Sequence, residues 1–314
     1  MAKLHKLLIL LVFVSAGAQA TTARPTSSRM QSAWNAWLKR RPPPCSSKID
    51  SLSHFGGGRV AVVFHGLGSS PRDMASVVNL LARQGYSVLA PRLAGHYDQN
   101  MTDLDFTSYG QWVQDAENVL AIARLSGRPV TLVGFSLGGL LASRLALDHP
   151  GEIDKMVLVA PAWRINAMVS LGSLVGSVLD LSLNAYEDIP YACQIGKGFI
   201  PARSGQQLEL LIMNTEESHW SSYPETNGSA FNQLQVPYLL LTTPNDDALD
   251  VPKLNEICAH NAFYCTPVNV QASRHTDMDL NLTGRRSTSA PYRGTAVGSI
   301  ISRFLGGTRL AVTH

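Results

Sequence analysis

From residue 59 onward the chain alternates short apolar runs with longer stretches of helical period. Residues 59–64, 86–90, 130–133 and 155–160 are brief, rich in β-branched and aliphatic side chains, and bounded by turn formers, as buried strands are. Residues 109–125 instead place Trp112, Ala116, Val119 and Ile122 or Ala123 on one helical face. Ser70 before Pro71 predicts a helix start, and Gly85 stops that helix after Gln84. Residues 140–148 predict another helix, 237–242 and 263–271 two more strands, and 293–304 a closing helix. This alternation predicts the α/β class: a mostly parallel sheet with helices on both faces.

The rhythm breaks twice. Residues 21–58 form an N-terminal arm punctuated by Pro25, Pro42–Pro43–Pro44 and Gly56–Gly57–Gly58, with a short helix over 30–37 that puts Trp34 and Trp37 on one side. Residues 162–235 are long for a connection and predict an inserted cap between core segments 59–161 and 236–314. Within it, 165–183 is strongly apolar, with Asp180 its only charge. Met168, Leu171, Leu174, Val175, Val178 and Leu179 fall at helical spacings. Two readings follow: a helix packed on the main body, or a lid whose apolar face lines an acyl pocket. Gly172 and Gly176 echo a membrane-dimer motif, but the run is short and ends at Asp180, so no span is expected there.

The start of the chain reads as a targeting segment. Lys3, His5 and Lys6 precede an apolar stretch over 7–14, and Ala18-Gln19-Ala20 supplies small residues for cleavage. This predicts a signal peptide over 1–20, cleaved after Ala20, and a secreted or periplasmic protein with no transmembrane span once mature. Export makes disulfides expected for Cys45, Cys193, Cys258 and Cys265. Cys258 and Cys265 flank a short connection and are paired here, which leaves Cys45 with Cys193. A net charge of +3 on 314 residues, with no basic stripe, gives no reason to expect a nucleic-acid partner. No His-Glu-x-x-His and no Gly-x-Gly-x-x-Gly opening a helix occur, so neither a metal nor another cofactor is expected.

The chemistry-bearing motif is Gly134-Phe135-Ser136-Leu137-Gly138. It lies where the 130–133 strand hands over to a helix, the setting of a nucleophile elbow. A serine hydroxyl is a weak nucleophile until a base takes its proton, so a histidine and an orienting acid are sought downstream.

Three stretches together carry a family resemblance: Val63-Phe64-His65-Gly66-Leu67-Gly68, the run from Gly85 through Pro91-Arg92-Leu93-Ala94-Gly95-His96, and the elbow. In that order they resemble the α/β-hydrolase superfamily, and within it the monoacylglycerol lipase and carboxylesterase group, which includes serine aminopeptidase-like hydrolases. The resemblance implies the α/β-hydrolase fold and the chain order serine, acid, histidine. His275, in Ser273-Arg274-His275-Thr276-Asp277-Met278, resembles the family's catalytic histidine. His149, His219, His260 and His314 have no such context. The acid follows the 237–242 strand. Asp246 fits the family pattern best, and Asp247 and Asp250 are then residues of a solvated loop. Backbone N–H groups of Leu137 and Leu67 are the implied oxyanion donors. His65 and His96 are read as structural.

The reading that results is a secreted serine hydrolase of small-molecule carboxylic esters, with an acyl-chain or lipid substrate. Peptide or amide hydrolysis by the same residues, and a non-catalytic lipid binder, are the competing readings.

Overall fold

The computed structural model of the chain describes residues 26–45, 47, 50–56, 58–96, 104–170, 182–184, 199–220, 228–272, 274–278 and 294–307. The predicted signal segment, residues 171–181 of the apolar run, and Cys193 with its expected bond to Cys45 lie outside these residues.

In chain order the elements are α1 (Thr26–Leu38), β1 (Leu52–His54), β2 (Arg59–Phe64), α2 (Ala75–Arg83), β3 (Tyr86–Ala90), α3 (Tyr109–Arg124), β4 (Val130–Phe135) and α4 (Leu137–Asp148). There follow β5 (Ile153–Val159), β6 (Ser182–Asn184), β7 (Phe199–Pro201), α5 (Ala202–Trp220), β8 (Tyr238–Thr242), α6 (Val251–His260), β9 (Cys265–Asn269) and α7 (Gly294–Leu305). Seven strands make one sheet in the order β1-β3-β2-β4-β5-β8-β9, and β6 pairs with β7 in a separate antiparallel pair. Among the described strands of the large sheet, only β1 runs antiparallel to its neighbour. Strands β3 and β4 are buried along their whole length, as continuous apolar runs covered on both faces should be.

Strand order fixes where the helices go. The chain steps one way from β2 to β3 and then the other way, across β2, to β4. Parallel crossovers are right-handed, so α2 lies on one face and α3, α4 and α6 on the other. α7 packs against α2, and α1 packs on α3. Trp34 and Trp37 of α1 are buried and stacked at 5.1 Å, so residues before β2 belong to the main body.

Several boundaries differ from expectation: α1 is longer than 30–37, β5 starts two residues before 155, and β9 is shorter than 263–271. The helix after Ser70 opens with a single 3-10 turn, Pro71–Met74, in which the Ser70 N–H donates to Asp73 Oδ2 at 2.8 Å. α4 begins at Leu137, so Gly138 and Gly139 are helical despite their low propensity. Four of the described elements were not expected: β1, the β6–β7 pair and α5. β1 is a three-residue edge strand. α5 crosses α3 and α4, tied by Gln207 Oε1 accepting from Tyr109 N–H (3.0 Å) and Asn214 Oδ1 accepting from Arg144 (2.8 Å). Its Glu216 is held by Arg164 at 3.0 Å and by the Ser229 hydroxyl at 2.9 Å.

Cys258 of α6 and Cys265 of β9 are joined in a disulfide, with Cα atoms 5.4 Å apart. No described helix is long and apolar enough to cross a membrane.

Candidate active site

Strand order reverses between β2 and β4, and in open parallel sheets ligands bind in the crevice beyond the carboxyl ends of the strands at such a point. Phe64 and Gly134 pair at those ends, so the loop after β2 and the turn after β4 emerge side by side.

Ser136 occupies the turn between β4 and α4 at φ 53°, ψ −115°, a conformation that costs about 1–3 kcal/mol for a residue with a side chain. The surroundings enforce it. The Ser136 N–H donates to Val159 O at 3.0 Å, and its carbonyl accepts from Leu140 N–H at 3.1 Å and Ala162 N–H at 3.0 Å. Glycine is required on both sides. A Cβ on Gly134 would strike the Gly138 carbonyl, and one on Gly138 would strike the Phe64 carbonyl. The close turn aims the Ser136 hydroxyl out at the N-terminus of α4, where unpaired amides and the helix dipole favour negative charge.

His275 lies in a 3-10 turn after β9. Its Nε2 is 2.9 Å from Ser136 Oγ, and its Nδ1 is 2.8 Å from Asp246 Oδ2. A carboxylate only accepts, so Nδ1 carries the proton and Nε2 is left to accept from the serine hydroxyl. The ring stacks on Phe135 with centroids 5.2 Å apart. The Asp246 side chain is buried, and its second oxygen accepts from the N–H groups of Ala248 (3.0 Å) and Leu249 (2.9 Å). Burial pushes its pKa up, but the His275 bond and charge together with the two amides outweigh this, and the carboxyl sits below its ordinary value.

The structure therefore brings together the three residues singled out by sequence, from three loops at the carboxyl end of the sheet. The loop after β2 lies against them: a Cβ on Gly66 would come 3.3 Å from Ser136 Cβ and closer still to the Phe135 ring. Leu67 follows Gly66 in that loop, and Leu137, the first residue of α4, directly follows Ser136. An imidazole so held can take the hydroxyl proton, and a carboxylate so placed stabilises the imidazolium that results.

Asp247 and Asp250 are exposed, as residues of a solvated loop should be, and each also accepts a hydrogen bond. Asp247 Oδ1 accepts from the His275 N–H at 2.9 Å, and Asp250 Oδ1 caps α6 by accepting from Lys253 N–H at 3.1 Å. The His275 loop has two further ties to the acid loop. Ala272 O accepts from the Thr243 hydroxyl (3.0 Å) and from Asn245 Nδ2 (3.1 Å). Adjacency to the candidate acid was the only signal for Asp247 in the sequence. His149 and His219 pair with carboxylates away from this site, at Glu117 (2.8 Å) and Asp148 (2.9 Å). Among the described residues, no three His, Cys, Asp or Glu side chains converge where a metal ion could sit.

Comparison with known proteins places this geometry in a family. The thermostable monoacylglycerol lipase of Bacillus sp. (strain H-257) is 29% identical over 181 residues, 52% of this chain and 72% of that protein. An uncharacterized protein of Mycobacterium bovis is 35% identical over 124 residues, which span 38% of this chain but only 35% of its own length. The structure from the metagenome-derived lipolytic enzymes LipS and LipT superposes with a TM-score of 0.66 at 16% identity, over 83% of this chain and 98% of that one, which shows a shared fold. The serine aminopeptidase S33 family, Hydrolase_4, matches residues 58–219, just over half of the chain. The chain belongs to this family of α/β-hydrolases.

Proposed function

We propose that this hydrolase cleaves carboxylic esters with an acyl-chain or monoacylglycerol-like substrate, through an acyl-enzyme on Ser136. The observation that carries the reading is the unbroken chain Asp246–His275–Ser136, with the serine in a strained turn at a helix N-terminus. Ser136 Oγ attacks the carbonyl carbon as its proton passes to His275 Nε2. The oxyanion accepts from the N–H groups of Leu67 and Leu137. The intermediate collapses when the C–O bond to the alcohol breaks and Nε2–H protonates the leaving oxygen. Water, deprotonated by His275, then attacks the acyl carbon and releases the acid and Ser136. The Bacillus relative, a monoacylglycerol lipase, favours the acyl-ester substrate. We read residues 162–235 as a cap over the site. Export, with removal of residues 1–20, rests on the basic–apolar–small order of that segment and fits the Cys258–Cys265 disulfide.

The test is a substrate panel of p-nitrophenyl esters of increasing chain length, monoacylglycerols and aminoacyl amides. Turnover of esters, rising with chain length, is expected. Amide turnover with inert esters would shift the reading to peptide hydrolysis. Inertness toward every substrate would favour a binding protein of the same fold.

A further inference from the structure

One face of the oxyanion loop leads back, bond by bond, to a residue outside the family-matched region. Arg41 follows α1 and precedes residue 58, where the family match begins. Its guanidinium donates to Asp115 Oδ1 at 2.7 Å and to the Arg92 carbonyl at 2.9 Å. The other oxygen of Asp115 accepts from Ala94 N–H at 2.8 Å. The ion pair thus grips the backbone on either side of Leu93.

The next bonds all run in one direction. The Arg92 carbonyl and the Leu93 N–H belong to one peptide unit, and that N–H donates to His65 Nε2 at 3.1 Å. An amide N–H can only donate, so Nε2 accepts and the ring proton sits on Nδ1. Nδ1 lies 2.9 Å from the Gly66 carbonyl and donates to it. The Gly66 carbonyl belongs to the same peptide unit as the Leu67 N–H, the donor assigned above to the oxyanion. Each donated bond polarises the next unit, so the sequence guanidinium, peptide, imidazole, peptide strengthens the last N–H as well as orienting it.

We propose that Arg41 is a positioning residue for the oxyanion loop, acting through the Arg92–Leu93 peptide and His65. His65 is wholly buried and its pKa is lowered to about 4, chiefly by burial, so its ring stays neutral as the relay requires. Arg41 is mostly buried against Trp37, its carbon–nitrogen head 4.9 Å from the indole centre, which holds it in place. The N-terminal segment is on this reading a working support of the site. The inference rests on the proposed role of Leu67 as oxyanion donor.

Two measurements test it. The first uses Arg41→Ala and Arg41→Gln, the latter able to donate to the Arg92 carbonyl without a charge. Each is checked for folding by circular dichroism and for ester kinetics and inhibition by a boronic acid. Arg41→Ala should lower kcat about five- to tenfold at unchanged KM and weaken the boronic acid by the same factor. That is a fraction of the roughly 10²–10³ lost when an oxyanion donor is removed outright. Arg41→Gln should fall between. Folded variants with parental kcat, or a loss confined to KM, would overturn the proposal. The second needs no variant: in ¹⁵N-labelled parent protein, His65 should be the neutral Nδ1–H tautomer at pH 7, and an Nε2–H tautomer would break the relay and refute it. Failure of the relay alone leaves Ser136→Ala inactive. Failure of the underlying mechanism would leave Ser136→Ala active.

Discussion

Asp247 holds the backbone of His275 while its neighbour Asp246 holds the ring: the His275 N–H reaches Asp247 Oδ1 at 2.9 Å, and Nδ1 reaches Asp246 Oδ2 at 2.8 Å. Two adjacent carboxylates thereby fix one side chain through different atoms. Their replacements should behave differently. On the proposed mechanism Asp246→Asn removes the charge that stabilises the imidazolium and should lower kcat on the order of 10⁴-fold, by analogy with the serine-protease aspartate. Asp247→Asn keeps an acceptor oxygen and should stay near the parent rate. Asp247→Ala releases the loop and should lower kcat up to about a hundredfold, the scale of a 1 Å misplacement. Steady-state ester kinetics on the three variants decide this, and equal rates for Asp247→Ala and the parent would remove its positioning role.

Stability should fall on the acid side of neutrality. His65 is buried and neutral, with its pKa brought down to about 4 from 6.5, mainly by burial. Burial also holds His96 well below its ordinary value. Between about pH 6.5 and 4 the unfolded chain binds protons that the folded one refuses, so stabilisation present above pH 6.5 is lost as pH falls through that window. His65 alone contributes on the order of 3 kcal/mol across it. Urea unfolding at pH 7.5, 6 and 5 should show this decline. A flat profile would mean that His65 is not held neutral.

Gly138 should resist substitution. The Cβ of Gly138→Ala would lie 2.7 Å from the His65 carbonyl oxygen and nearer to the Phe64 carbonyl, backbone atoms at the end of β2 and the start of the loop after it. Relief requires moving that loop away from Ser136. Thermal unfolding should register a loss of at least about 1–3 kcal/mol, as overpacking in a core does. Fluorophosphonate labelling should drop with it. Parental values for both would contradict the close approach seen here.

The Cys258–Cys265 bond closes a loop seven residues apart in sequence, between α6 and β9. A loop of that size gives about 2–3 kcal/mol in the chain-entropy description. A non-reducing peptide map of the oxidised protein should yield the two cysteines in one linked fragment. Cys258→Ala/Cys265→Ala should lower stability by about that amount with little effect on kcat.

The parts of the fold that could be read in the sequence are those whose burial is continuous. β2, β3, β4 and β8, and β5 from Met156 on, are largely apolar runs covered on both faces, and their sequences show it. β1 is three residues, Leu-Ser-His, mostly exposed, and owes its conformation to pairing with β3. α5 carries a weak signal in the sequence: Leu208, Leu211, Ile212 and Thr215 are buried at helical spacing, but Gly205 and many polar residues dilute the stripe. Ser136, Asp246 and His275 were legible because strand ends, motif order and loop patterns locate them. Arg41 and Asp115 were not, since they meet across 74 residues of chain and neither sits in a motif.

On the proposed mechanism Ser136 forms the covalent acyl intermediate. The most direct measurement is tandem mass spectrometry of the protein after reaction with a fluorophosphonate under conditions that abolish ester turnover. One adduct is expected, on the peptide containing Ser136, and none on Ser136→Ala. An adduct on another residue, or inactivation with Ser136 unmodified, would contradict it.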